Sequence, residues 1–146
     1  MVLFVENDTL AIRPLIDYLR ESGYDVEVRN HADRALADMP GMQNLRCAIL
    51  DVMMPAPGDW GDDALGGMAT GLVLARKIRE SNSALPIIFL TGQNSLAVNS
   101  SLRDFPKPSK CFGKLHLRAD ALLAAVQEMA GQPDSTAIST PEVAQV

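Results

Sequence analysis

Three apolar runs in the sequence end in side chains that can do chemistry. "VLFV" (2–5) runs into Glu6, Asn7 and Asp8, "CAILD" (47–51) ends on Asp51, and "PIIFL" (86–90) is followed by Thr91. Two carboxylates brought together at a strand edge, Glu6 and Asp51, repel each other. They must share a proton, pair with a lysine, or hold a hard cation. Mg2+ suits such a place, because it takes one or two carboxylates together with waters and a phosphate. Asp51 then becomes a nucleophile for a phosphoryl group. A hydroxyl such as Thr91 and a lysine would bind the phosphoryl oxygens as charge develops.

These residues need a scaffold that delivers them to one edge. The runs 2–5, 47–51 and 86–90 are short and continuously apolar, as strands covered on both faces are. "YDVEV" (24–28) alternates like a strand, and "CF" (111–112) is a brief apolar patch. Helical spacing marks 9–22, with Asp8 or Thr9 as cap, Gly23 as stop and Pro14 as a late start or a kink. Further helices are predicted over 31–39 with Asn30 as cap, 71–80 with Thr70 as cap, 95–103, and 119–130 with Leu122, Val126 and Met129 inward. Residues 53–70 are rich in Gly, Pro and Asp and read as a long loop. Strands alternate with helices five times, which predicts an α/β fold with three layers, a five-stranded parallel sheet with helices on both faces. Such sheets bind ligands at the carboxyl ends of their strands.

Composition narrows the function. The chain has 146 residues, 47% of them hydrophobic, and a net charge of −5. That is enough for one core, and too acidic for a nucleic-acid binder. No apolar run approaches the length of a membrane span, and Val2 opens a strand rather than a leader. Cys47 and Cys111 read as reduced thiols of a cytoplasmic protein. Residues 1–130 are expected to form the domain and 131–146 a disordered tail.

In order and spacing, "VLFVEND", "AILDVMMP", "PIIFLTG" and "LLAAV" resemble the response-regulator receiver domains of two-component signalling, over roughly residues 1–130. "LDVMMP" is the most specific piece. The resemblance implies the flavodoxin-like (CheY-like) fold. It places Asp51 at the phosphoacceptor and Glu6 at the first position of an acidic pair that helps hold Mg2+. Asn7 falls on the second position, usually a carboxylate that contacts the metal. Met53 falls where a backbone carbonyl completes the metal shell, and Thr91 on the hydroxyl that follows the phosphoryl group. The Asn7 amide lacks a charge, so Mg2+ is expected to bind weakly.

The family also carries a lysine at the end of the fifth strand, usually followed by proline. In "FPKPSKCFGKLHL" the dipeptide match is Lys107-Pro108, but Lys107 lies so close to Thr91 that it would nearly abolish the fourth helix. Lys114 follows the apolar "CF" as a strand-end residue should, and is the expected phosphoryl-binding lysine, with Leu115 in place of the proline. Cys111, with Phe112 beside it, falls at or next to the aromatic switch position. The loop after Pro55 is longer than in the family and carries Asp59, Trp60, Asp62 and Asp63. It reads either as a lid or partner-recognition loop, or as a solvated acidic turn with one Trp packed down.

The resemblance implies a stand-alone receiver, not an enzyme, phosphorylated by a histidine kinase or phosphotransfer protein and acting on an unknown downstream protein, with no nucleic acid or membrane involved. A pseudo-receiver that binds a partner without phosphate is the alternative. An aspartate-based phosphohydrolase would need a further general acid or base, which the sequence does not offer outside the long loop. A flavin-binding relative would need a phosphate-cradling loop where the acidic "ENDT" stands.

Overall fold

The structure, a computed structural model, describes residues 1–92 and 96–133. Its elements run in order β1 (Val2–Val5), α1 (Arg13–Glu21), β2 (Val26–Arg29), α2 (Ala32–Asp38), β3 (Cys47–Asp51), α3 (Thr70–Ser81), β4 (Ile87–Thr91), α4 (Leu96–Arg103), β5 (Ser109–Gly113) and α5 (Ala119–Ala130). Two 3-10 segments, Met39–Gly41 and Gly58–Gly67, complete them. The strands form one parallel sheet in the order β2-β1-β3-β4-β5. This is the expected α/β fold. Strand order reverses between β1 and β3, so the loops leaving those two strands diverge and open a crevice at their carboxyl ends.

Alternation along the strands divides the core in two. Leu3, Val5, Ala48, Leu50, Ile87 and Phe89 face the α2, α3 and α4 side, where Leu74, Ile78, Val98 and Leu102 pack on them. Val2, Phe4, Cys47, Ile49, Ile88 and Leu90 face α1 and α5, against Ile16, Leu19, Leu122 and Val126. Both faces of β1, β3 and most of β4 are therefore dry. Cys47 is a buried free thiol and Cys111 an exposed one.

Several boundaries differ from the sequence reading, each for a local reason. α1 begins at Arg13 rather than residue 9, and Pro14 occupies its first turn, where the missing N–H is not needed. Asp8 caps a preceding turn instead, accepting from the Ala11 N–H at 3.3 Å. α2 starts after His31, not Asn30, and makes no side-chain cap bond. Ala69, not Thr70, stands at the N-cap of α3. β5 is five residues long instead of two, and its burial alternates because it is an edge strand. Of the expected tail, 134–146 lies outside the described residues.

The long loop is also not structureless. Residues 58–67 wind into a kinked 3-10 segment, interrupted by the positive φ of Gly61, Leu65 and Gly66. Trp60 and Ala64 are buried in the core beside α3, and the Lys77 ammonium stands 5.4 Å from the indole centroid. Asp59, Asp62 and Asp63 remain exposed. The segment is thus an acidic turn with its Trp packed down.

Candidate functional site

The carboxyl edge of the sheet is extended past the strands by single ladder bonds. The Glu6 N–H donates to the Arg29 carbonyl (3.0 Å), that of Val52 to Leu90 (2.9 Å), and that of Lys114 to Thr91 (2.7 Å). These bonds carry the strand register into the loops, so Glu6, Asp51 and Lys114 arrive at one level. Glu6 is fully buried and Asp51 is 3% exposed. The Lys114 ammonium bridges them, donating to Glu6 Oε1 and, at 3.3 Å, to Asp51 Oδ2. Glu6 Oε2 is buried and unpartnered.

Neighbouring expected residues sit differently. Asn7 is exposed directly after the buried Glu6, where the chain has left β1 and turns toward α1. Met53 exposes its side chain, so only its backbone can serve the site. Thr91 closes β4 opposite Gly113, one residue before Lys114. Lys107 does not join the group. Its ammonium donates to the Ser109 carbonyl at 3.3 Å, within its own turn before β5. Asp8 is committed to its turn as well.

The electrostatics follow from burial. Glu6 is pushed up from 4.5 to about 8, first by burial and then by the neighbouring Asp51 carboxyl group, with Lys114 pulling the other way. For Lys114 burial lowers the pKa, but the bond to Glu6 and the charges of Asp51 and Glu6 outweigh it, and the net direction is up. Both partners therefore hold their protons. Lys114 stays charged, and burial opposes ionisation of Glu6.

That has a consequence for stability. A carboxyl with a raised folded pKa binds a proton that the unfolded chain has released, so its contribution is intact below about pH 4.5 and is lost as pH climbs toward about 8. Metal-free protein is expected to lose on the order of 3 kcal/mol between about pH 5 and about pH 8.5 through this group. Glu6→Gln, neutral throughout, should flatten that part of the profile. Denaturant unfolding at both pH values checks it, and parallel wild-type and variant profiles would contradict a proton on Glu6.

The donor set fits a hard cation in a thin way. Among the described residues no three His, Cys, Asp or Glu side chains gather as a metal cluster. Glu6 and Asp51 supply two carboxylates, and the orphaned Glu6 Oε2 is a buried acceptor that a cation would satisfy. Oxygen donors with waters and a phosphate are what Mg2+ takes.

Two glycines that the sequence reading does not single out, and Thr70 in a role other than the expected cap, shape the site. A Cβ on Gly71 would lie 2.3 Å from the Asp51 carbonyl oxygen and 2.7 Å from Val52 Cα, so only glycine lets α3 begin against the end of β3. Gly67 has φ +101°, and its Cβ would stand 2.9 Å from the Met54 carbonyl oxygen. Thr70, read as a cap, instead donates its hydroxyl to that same Met54 carbonyl. A short Thr-Gly pair at the head of an apolar helix was the only signal available.

A family model described as response regulator receiver domain matches residues 2–104, which includes Glu6, Asp51 and Thr91 and stops short of β5. No curated protein matches the chain in sequence. Among solved structures the chain is similar to the signal receiver domain of a modulated diguanylate cyclase from Desulfovibrio desulfuricans, at 26% identity and TM-score 0.68, covering 89% of this chain and 91% of that one. It is also similar to a CheY-like receiver domain protein from Methanospirillum hungatei, with 20% identity, TM-score 0.69, and 87% and 90% coverage. The receiver domain of NtrX from Brucella abortus gives 20% identity, TM-score 0.69, and 89% and 98% coverage.

Proposed function

The chain belongs to the response regulator receiver domain family, and from that premise we propose that Asp51 accepts a phosphoryl group from a phosphohistidine protein and that the domain signals onward through a partner protein. The observation that carries this reading is the buried Glu6–Lys114–Asp51 group at the carboxyl edge of the sheet. The Lys114 ammonium, donating to Asp51 Oδ2, holds that carboxyl group in place at the sheet edge. Asp51 Oδ attacks phosphorus, its O–P bond forms as the donor's N–P bond breaks, and the donor imidazole keeps the electron pair. Lys114 can follow the incoming negative charge, since its ammonium already reaches Asp51. Thr91 is the hydroxyl proposed to bind a phosphoryl oxygen. Burial of Asp51 limits water, and so slows hydrolysis of the acyl phosphate that resets the switch.

Glu6, Asp51, the Met53 carbonyl and the Asn7 amide are the proposed Mg2+ donors. Bound there, Mg2+ would neutralise phosphoryl oxygens that Lys114 alone cannot. With an amide at residue 7 the site has one negative charge fewer, and its affinity for the ion is weakened. Residues 1–130 are proposed as the working domain, in the cytoplasm, with no part in binding nucleic acid.

Beryllofluoride, which mimics a phosphoryl group on a carboxylate, tests the site. With Mg2+ it is expected to change Trp60 fluorescence, because the segment carrying Trp60 is tied back to Met54 through Gly67. Asp51→Asn should abolish the change. A response that survives in Asp51→Asn, or none in the wild type at high Mg2+, would sink the proposal. The exposed Asn7 amide favours one rival, a pseudo-receiver acting without phosphate. It predicts a partner retained equally by wild type and Asp51→Asn.

A further inference from the structure

Val52 and Met54 bury their side chains in the core on either side of the exposed Met53, and the backbone of this stretch is tied to residues 67–71. The Gly71 N–H donates to the Val52 carbonyl at 2.9 Å, and the Met54 N–H donates to the Gly67 carbonyl at 3.1 Å. Thr70, fully buried, donates its hydroxyl to the Met54 carbonyl at 2.6 Å. A hydroxyl in so apolar a place must find an acceptor. Residue 54 is therefore fixed through both its backbone N–H and its carbonyl.

This bears on Met53, whose exposed side chain anchors nothing. The Met53 carbonyl and the Met54 N–H belong to one peptide group, planar and trans. Once the N–H is aimed at Gly67, the carbonyl must point the opposite way. Thr70 prevents residue 54 from rocking about that bond by pinning the next carbonyl along. The constraint spans sixteen residues and exists only because the loop folds back.

We propose that Thr70 is a positioning residue: with the Gly67 carbonyl, its hydroxyl fixes the Met53–Met54 peptide so that the Met53 carbonyl is held ready for a divalent cation beside Asp51. The inference rests on Asp51 being a Mg2+-dependent phosphoacceptor. With Asn7 supplying no charge, a rigidly aimed neutral carbonyl becomes a larger share of what holds the ion. Partners that orient a metal's ligands commonly change affinity by about tenfold or more when removed.

The test is Mg2+ titration calorimetry on the full chain, with thermal unfolding of metal-free protein in parallel. Thr70→Val removes the donor and nearly keeps the shape, Thr70→Ser keeps the donor, and Thr70→Ala carries the same test should the valine variant fail to fold. The expected result is an Mg2+ Kd raised about tenfold in Thr70→Val or Thr70→Ala and restored to within about threefold in Thr70→Ser. Amide exchange at Met54 should quicken in the first two variants and not in the third. A lower unfolding temperature with an unchanged Kd would overturn the proposal, leaving Thr70 a purely structural contact and the phosphoacceptor reading intact. A wild type that takes up no Mg2+ would overturn both.

Discussion

Gly71→Ala is expected to cost about 3 kcal/mol or more and to disable the site at the same time. The added methyl would meet the Asp51 carbonyl oxygen at 2.3 Å and Val52 Cα at 2.7 Å. Both are backbone atoms of the central strand and its exit, so neither can swing aside as a side-chain tip would. Small-to-large changes in packed interiors commonly cost about 1–3 kcal/mol, and larger losses follow where the backbone itself must move. Relief comes only by lifting the head of α3 off β3. That breaks the Gly71 N–H bond to the Val52 carbonyl and drags the residues next to Asp51 with it. Gly41→Ala is the control, since nothing lies within 4 Å of its Cβ. Chemical denaturation should separate the two variants clearly. Near-wild-type stability in Gly71→Ala would mean that α3 does not sit against β3 as described.

Lys114→Met should produce the second large effect. Removing the ammonium leaves Glu6 and Asp51 close together in a buried place, with no other cationic side chain between them among the described residues. Breaking a buried ion pair from one side costs about 3–5 kcal/mol when the remaining charge stays ionised. Here Glu6 can take a proton, so the loss should be smallest in mild acid and grow as pH rises through the neutral range. Adduct formation at Asp51 should fall steeply, because the charge that follows the phosphoryl group is gone. Lys107→Met, which gives up only a bond to the Ser109 carbonyl in its own turn, should stay within about 0.5 kcal/mol of wild type and keep the adduct. The opposite ranking of the two lysines would move the phosphoryl-binding role back to the Lys-Pro dipeptide.

That choice between lysines shows what the sequence could carry. Lys114 was favoured on spacing after Thr91, against a better local match at Lys107, and in the structure Lys114 is the one that touches both carboxylates. Spacing points to the strand-end lysine because β4, α4 and β5 each need a minimum length of chain. β1, β3 and β4 were legible to within a residue, since strands dry on both faces must be apolar throughout. β5 was read as two residues because an edge strand may alternate, and Lys110 there reaches out to Glu128. The 58–67 segment was read as plain loop on its Gly and Asp content. Its buried Trp60, Ala64 and Gly67 are spaced as one face of a helical turn, a signal that the surrounding glycines mask. Thr70 and Gly71 were out of reach for another reason. Their partners, Met54 and Asp51, are distant in sequence, and no local pattern records a contact that the loop creates.

Glu6 and Asn7, adjacent in sequence, take opposite environments. The pair was expected to act together on one ion. In the structure Glu6 turns inward to Lys114 and Asn7 outward to solvent, so the residue that lacks a charge is also the one the fold leaves in water.

The central claim is that Asp51 becomes phosphorylated, and intact-mass spectrometry tests it most directly. The full chain is incubated with acetyl phosphate and Mg2+, alongside Asp51→Asn. The account predicts a single added phosphoryl group on the wild type, dependent on Mg2+, labile to hydroxylamine as an acyl phosphate is, and missing from Asp51→Asn. An adduct of the same mass on Asp51→Asn, or an unmodified wild type across the whole Mg2+ range, would contradict it.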